Sequence, residues 1–172
     1  GGSFSLAKAF QRNGMLSEGW DRETSPQLDF LDPQIVTMFK NRVKRNRYGA
    51  VSFDFPCTTW SRARRHDGTG RPPLRGDKDD ELYGLSNLKA GSNTHKAVQE
   101  GNQLLTVLED IIRYCLKHHV LVIIENPLTS RVWKTKEMLR LMRMPSAQIH
   151  NTDYCCYNKP WKKPTRFVVF VP

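Results

Sequence analysis

Apolar and polar positions along this chain repeat with two periods, and the switches between them mark out the elements. Helical spacing comes first in residues 5–12, where Leu6, Ala7 and Phe10 gather on one side with Phe4 just ahead and Asn13-Gly14 acts as a stop. Residues 15–20 read as a strand-like piece ending before Asp21. A second helix is predicted over 33–47: Ile35, Val36, Met38, Phe39 and Val43 form its apolar face, and Lys40, Arg42, Lys44, Arg45 and Arg47 crowd the other. The β-prone run Gly49-Ala50-Val51-Ser52-Phe53 leads to Pro56-Cys57. Helical spacing resumes over 101–117 through Leu104, Leu105, Leu108, Ile111, Ile112 and Cys115. Residues 120–125 form an apolar strand that runs into Glu125-Asn126-Pro127. A helix over 135–142, a strand over 153–157 and a last strand over 167–171 complete the pattern. Alternating strands and helices predict an α/β domain with a mostly parallel sheet and helices on both faces.

One stretch breaks the rhythm. Residues 62–94 are polar and rich in Gly, Pro and Arg, and a connection of that length is usually functional or disordered. The expectation is a long mobile loop, with Gly68, Gly70 and Gly76 as hinge points. At 172 residues the chain suits a single domain over 1–172, of a size that buries roughly 70% of its unfolded surface.

Charge narrows the partner. With 27 Lys and Arg against 17 Asp and Glu, the net charge of +10 favours a polyanion over an acidic small molecule. No stretch approaches the roughly 20 apolar residues of a bilayer span. The four cysteines, Cys57, Cys115, Cys155 and Cys156, form no CxxC pair, which fits a reducing intracellular compartment, nucleus or cytoplasm, and disfavours zinc. Adjacent Cys155 and Cys156 are expected in the core, His118-His119 at a helix end as a cap, and Trp133 beneath the Glu-Asn-Pro turn.

In a parallel sheet, ligands bind at the carboxyl ends of the strands. That rule gathers Asp21, Cys57, Glu125 and the Gly1-Gly2 turn at one edge. Each has a bland reading and a sharp one. A free cysteine is often a buried small hydrophobe; at a strand end, followed by Arg62, Arg64 and Arg65, it is equally a thiolate nucleophile. Glu125 is a loop carboxylate or an acid catalyst. Gly1-Gly2 before a helix start suits an anion or a cofactor, because first-turn amides point outward without partners.

Taken together, these segments resemble the S-adenosylmethionine-dependent DNA cytosine-5 methyltransferases, in particular the short forms of phages, viruses and algal retroelement-like sequences. Gly1-Gly2-Ser3-Phe4-Ser5 is similar to the tail of the glycine-rich cofactor loop, and Asp21, beside Trp20, to the acidic residue on the cofactor ribose. Asp29 in "QLDFLDP" is similar to the residue near the adenine amine. Pro56-Cys57 with Trp60-Ser61 resembles the nucleophile segment, Glu125-Asn126-Pro127 the Glu-Asn-Val segment, and "YNKPWKKPTRF" the late arginine-containing segment. The resemblance implies a Rossmann-like methyltransferase sheet whose first strand falls before Gly1. It implies S-adenosyl-L-methionine held by Gly1, Gly2, Phe4, Trp20, Asp21, Asp29 and Pro56. Cys57, Glu125 and Arg166 would be catalytic: a thiolate adding to carbon 6 of cytosine, a carboxylic acid at ring nitrogen 3, and an arginine on the ring carbonyl oxygen. Ser61, Arg62, Arg64, Arg65 and Lys163 would hold DNA, or RNA, around an extruded base. Trp161, flanked by Lys159, Lys162 and Lys163, suits base and phosphate contact or a solvated face.

Departures from the family pattern bear on the arginine above all. Thr58 follows Pro-Cys where glutamine is usual, Phe55 precedes it where proline is usual, and Pro127 replaces valine. Lys163 stands at the first arginine position and Thr165 at the second, with Arg166 one residue late, and a one-residue shift turns a strand side chain to the opposite face. The expected function is methyl transfer to cytosine carbon 5 by a monomer. The alternative is a catalytically silent module of the same fold that binds nucleic acid. A methyltransferase acting on protein or small molecules fits poorly with the charge.

Overall fold

The computed structural model describes residues 5–22, 25–64, 70–157 and 162–172. Gly1, Gly2, Phe4, Arg65, Gly68 and Trp161 therefore lie outside the described residues, and so do the expectations placed on them.

Helix α1 (Ser5–Arg12) ends at Asn13-Gly14, where Gly14 takes a φ of 76° that a side chain would resist. Helix α2 (Pro33–Lys44) starts with proline at its first position, and the Asp32 carboxylate accepts from the Gln34 N–H. Strand β1 (Ala50–Asp54) follows. Helix α3 (Asn93–Lys117) begins a full two turns earlier than its apolar spacing announces, because Ser92 caps the His95 N–H and the opening turns carry a polar outer face. Strand β2 (Leu121–Pro127), helix α4 (Lys136–Met142), strand β3 (Ala147–Asp153) and strand β4 (Pro164–Phe170) complete the chain. No helix among the described residues is long and apolar enough to cross a membrane.

The fold is α/β, but its sheet is mixed and not mostly parallel. Strand order is β1-β2-β4-β3; β1 and β2 are parallel, whereas β4 runs antiparallel to both β2 and β3. A helix crosses between β1 and β2, which permits parallel pairing, while the short return from β3 to β4 forces an antiparallel pair. The pairings leave β1, β2 and β3 pointing one way with β4 reversed between β2 and β3.

Helices on both faces is the second expectation to be corrected. Val122, Ile124, Val168 and Phe170 point to one face and join a single core with Phe39 and Val43 of α2, Leu105, Leu108, Ile111 and Ile112 of α3, and Met138 and Leu141 of α4. Ile123, Phe167 and Val169 point the other way and remain half-buried outside that core. Helices α2, α3 and α4 all pack on that one face.

Three further elements differ. Residues 15–20 form no strand; Leu16 stands fully exposed and Trp20 leaves for an aromatic cluster with Phe30 and Phe39. Residues 154–157 are a 3-10 turn, Tyr154–Tyr157, and the strand lies just before it. Cys155 and Cys156 on that turn are exposed, while Cys115 is the cysteine in the core. Finally, the described part of 62–94 is packed down: Leu74, Arg75 and Leu82 are buried, a 3-10 turn spans Glu81–Tyr83, and Leu85 N–H bonds back to Leu74 O at 3.0 Å.

Candidate functional site

Because β1 and β2 are parallel and in register from Ala50↔Leu121 to Asp54↔Glu125, their carboxyl ends emerge side by side. β4, running the other way, begins at that same edge, and so the residue just before it, Lys163, arrives there too. Topology alone thus brings the segment of Cys57, Glu125 and Lys163 to one edge.

The Cys57 segment is held rather than free. Phe55 is buried and its carbonyl accepts from Asn126 Nδ2 at 2.7 Å, a long-range bond between residues inside the protein. Past it, Pro56 and Cys57 are exposed, and Trp60 N–H closes a turn on Cys57 O at 3.0 Å. Trp60 O accepts from the Arg131 N–H at 3.1 Å and Ser61 O from Arg131 Nη1 at 3.3 Å. Bonds from Asn126 and Arg131, both in or just after β2, therefore fasten the loop to the strand that carries Glu125. The sulfur faces solvent, so the packing reading of Cys57 does not hold.

Glu125 accepts from Lys163 Nζ at 3.3 Å, and the ammonium lies 4.7 Å from the centre of the Tyr154 ring. Burial pulls the Lys163 ammonium down, but Glu125 and Tyr154 outweigh it and hold it above the usual lysine range. Arg166 is elsewhere. The register pairs it with Asn126, one residue off Glu125, and therefore turns it to the opposite, helix-covered face. There it donates to Asn151 Oδ1 at 3.0 Å and sits 5.6 Å from the centre of the Trp133 ring. The expectation that Arg166 meets the same substrate as Glu125 is overturned by this register, and Lys163 is the cation at that carboxylate. Trp133 itself packs under the Glu-Asn-Pro turn, its Nε1 donating to Pro127 O at 2.8 Å.

Arg62 and Arg64 are engaged with the protein. Arg62 pairs with Asp77, which also meets Lys134 at 2.8 Å and Arg131 at 3.6 Å. The hydrogen bond from Lys134, with the nearby guanidinium groups, holds the Asp77 carboxyl below its ordinary range. Arg64 donates to Thr58 O at 3.0 Å and Pro72 O at 3.1 Å, bracing the residue after Cys57. Burial, and then Arg71, pull its guanidinium down. Ser61 is half-buried, and its Oγ accepts from the Ala63 N–H.

Of the residues expected to hold the cofactor, the Trp20-Asp21 pair and Asp29 lie in adjoining stretches that meet through Trp20–Phe30 and Arg22–Asp29. Asp29 spends one oxygen on the Leu31 N–H at 2.9 Å and the other on Arg22 at 3.4 Å. Trp20 packs against Phe30 and Phe39 with the Arg42 guanidinium 5.0 Å from its ring centre. Asp21 is half-buried and has partners of its own. Gly1, Gly2 and Phe4 lie outside the described residues, so the described part of the set expected to hold S-adenosylmethionine is Trp20, Asp21, Asp29 and Pro56, of which Asp29 is engaged with Leu31 and Arg22. A hollow of about 520 Å³ lies at the other end of β1, lined by Leu16, Glu18, Arg42, Arg45, Arg47 and Tyr48.

Several contributors escaped the sequence reading. Asn126 and Arg131 follow directly from the Glu-Asn-Pro motif and could have been found by asking what holds the Cys57 loop. Asp77 and Arg75 carry no local signature within a polar stretch. Compared with family models, curated proteins and solved structures, the chain matches none of them.

Proposed function

We propose that this chain is a catalytic core for covalent chemistry on a pyrimidine of nucleic acid, of the kind that methylates cytosine at carbon 5, with Cys57 as the nucleophile. The observation that carries the reading is the fastening of an exposed Cys57 loop, through Asn126 and Arg131, to the strand that carries Glu125. The chemistry needs this pairing. The Cys57 thiolate forms a bond to carbon 6, the 5,6 double bond shifts its electrons toward carbon 5, and the negative charge spreads toward ring nitrogen 3. Glu125 would hydrogen-bond the ring at nitrogen 3, and Lys163 would take the place first assigned to Arg166, beside the carbonyl oxygen. Once carbon 5 carries the methyl group, its proton passes to a solvent water, and the electrons of that C–H bond rebuild the 5,6 double bond and expel the Cys57 thiolate. S-adenosylmethionine, when bound, would supply the methyl group; no residue role here depends on it. The target base has to leave its stack to reach such a site, and the net charge of +10 suits a phosphate backbone.

A second reading has its own support: a silent nucleic-acid-binding module. The Lys163–Glu125 pair and the committed Asp29 carboxylate favour it. One experiment separates the two. Incubated with a cytosine-containing duplex and labelled S-adenosylmethionine, the wild-type chain is expected to label carbon 5, and Cys57→Ala to bind the duplex equally well and label nothing. Salt-sensitive duplex binding with no label from the wild type would instead establish the second reading.

A further inference from the structure

Arg75 is fully buried in the middle of a stretch that reads as a polar loop. Its guanidinium makes five hydrogen bonds: Nη1 to Leu82 O at 2.9 Å and Asn102 Oδ1 at 2.7 Å, Nη2 to Val98 O at 3.0 Å and Thr59 Oγ1 at 3.2 Å, and Nε to the same Thr59 oxygen at 3.3 Å. Its flat face lies 3.4 Å from the centre of the Trp60 ring. No carboxylate of the described residues pairs with it. Gly101 makes the fit possible, since a Cβ there would come within 2.9 Å of Nη2.

Such an arrangement is costly. Taking an unpaired cation out of water costs several kcal/mol even after hydrogen bonding, and an apolar side chain of similar volume is often as stable or better. Stability alone therefore gives no reason for a guanidinium here. What it grips does: Trp60, whose N–H closes the turn on the Cys57 carbonyl, and Thr59 within that turn. The planar fork ties that turn to α3 through Val98 and Asn102, and a lysine can neither stack on Trp60 in the same way nor reach four acceptors at once.

We infer that Arg75 is a positioning residue for Cys57, a buried cationic strut that sets the Thr59–Trp60 turn and places a positive charge, with no carboxylate partner among the described residues, beneath the turn that follows Cys57. Burial pulls the guanidinium down to about 9, which still leaves it charged at neutral pH. The inference rests on the nucleophilic reading of Cys57 only for its purpose; the geometry and the test stand apart from it.

The test uses the full chain with Cys155 and Cys156 replaced by serine, so that Cys57 is the exposed thiol while Cys115 stays buried. Alkylation of Cys57 by iodoacetamide is followed across pH, with near-ultraviolet circular dichroism to verify packing. Arg75→Met is expected to raise the midpoint of the profile by about one pH unit, which slows alkylation near neutral pH on the order of tenfold. Arg75→Lys is expected to restore part of that loss, and Thr59→Val to shift the midpoint the same way by less. A packed Arg75→Met chain with the wild-type profile overturns the inference; if that variant fails to fold, an unshifted profile in Thr59→Val does so. A wild-type chain that forms no adduct with 5-fluorocytosine, yet whose alkylation still follows Arg75, sinks the nucleophilic reading and upholds the strut.

Discussion

At Glu125 the decisive neighbour is an ammonium and not a guanidinium. Lys163 reaches the carboxylate because β4 starts at the edge where β2 ends, whereas Arg166, three residues on, has turned through the sheet to Asn151 and Trp133. The two cations are thus separated by strand geometry and differ in what their loss does. Lys163→Met is expected to slow methyl transfer roughly 10- to 100-fold, Lys163→Arg to retain most of it, and Arg166→Met to leave the rate within a few-fold. Single-turnover rates on a cytosine duplex measure all three. Equal losses at both positions would contradict the register assignment.

Cys115, also at the residue scale, titrates far from its ordinary range. Burial pushes its thiol up to about 12, with Lys40 opposing weakly. In the unfolded chain the thiol ionises near 9; between these values the folded state holds more protons, so the stability it contributes is complete below pH 9 and is lost as pH rises toward 12. The stability gap between wild type and Cys115→Ala should therefore narrow over pH 9–12 in urea titrations. A constant gap across that window would be the opposite result.

Among elements, the β1–Cys57 loop depends on one buried bond more than on any other contact. Replacing Asn126 with alanine leaves the Phe55 carbonyl without its partner inside the protein, at a cost of about 1–3 kcal/mol. Urea denaturation of Asn126→Ala should show that loss together with faster proteolysis near Cys57; a stable variant with an intact loop would show that Arg131 alone suffices.

The elements also divide by how readable they are. α1 carries its own stop signal in Asn13-Gly14, and its bounds match the sequence pattern from Ser5 to Arg12. β2 is legible because Leu121–Ile124 is apolar throughout, although burial alternates along it. β3, with "AQIHNTD", is not, because an edge strand with one partner exposes its side chains and needs no apolar alternation. The 62–94 stretch misleads for a different reason: Arg75, its main anchor, is a charged residue that only a finished cavity of carbonyls and an indole can bury.

For the whole molecule, strand direction was the hidden variable. Apolar runs announce strands but not their sense, and reversing β4 between β2 and β3 converts an expected parallel sheet into a mixed one. That same reversal delivers Lys163 to Glu125 and removes Arg166, so the error in the candidate site and the error in the fold have one origin. The shared edge of the Cys57 segment and Glu125 depends only on the single parallel pair, β1 with β2, whose helical crossover was visible in the sequence.

Mass spectrometry of the intact chain after incubation with a 5-fluorocytosine duplex and S-adenosylmethionine reads out the proposed chemistry of Cys57 as a covalent bond. Addition of one oligonucleotide strand, mapped by proteolysis to Cys57 and absent in Cys57→Ala, is the expected result. An unmodified chain, or an adduct on Cys155 or Cys156, would contradict it.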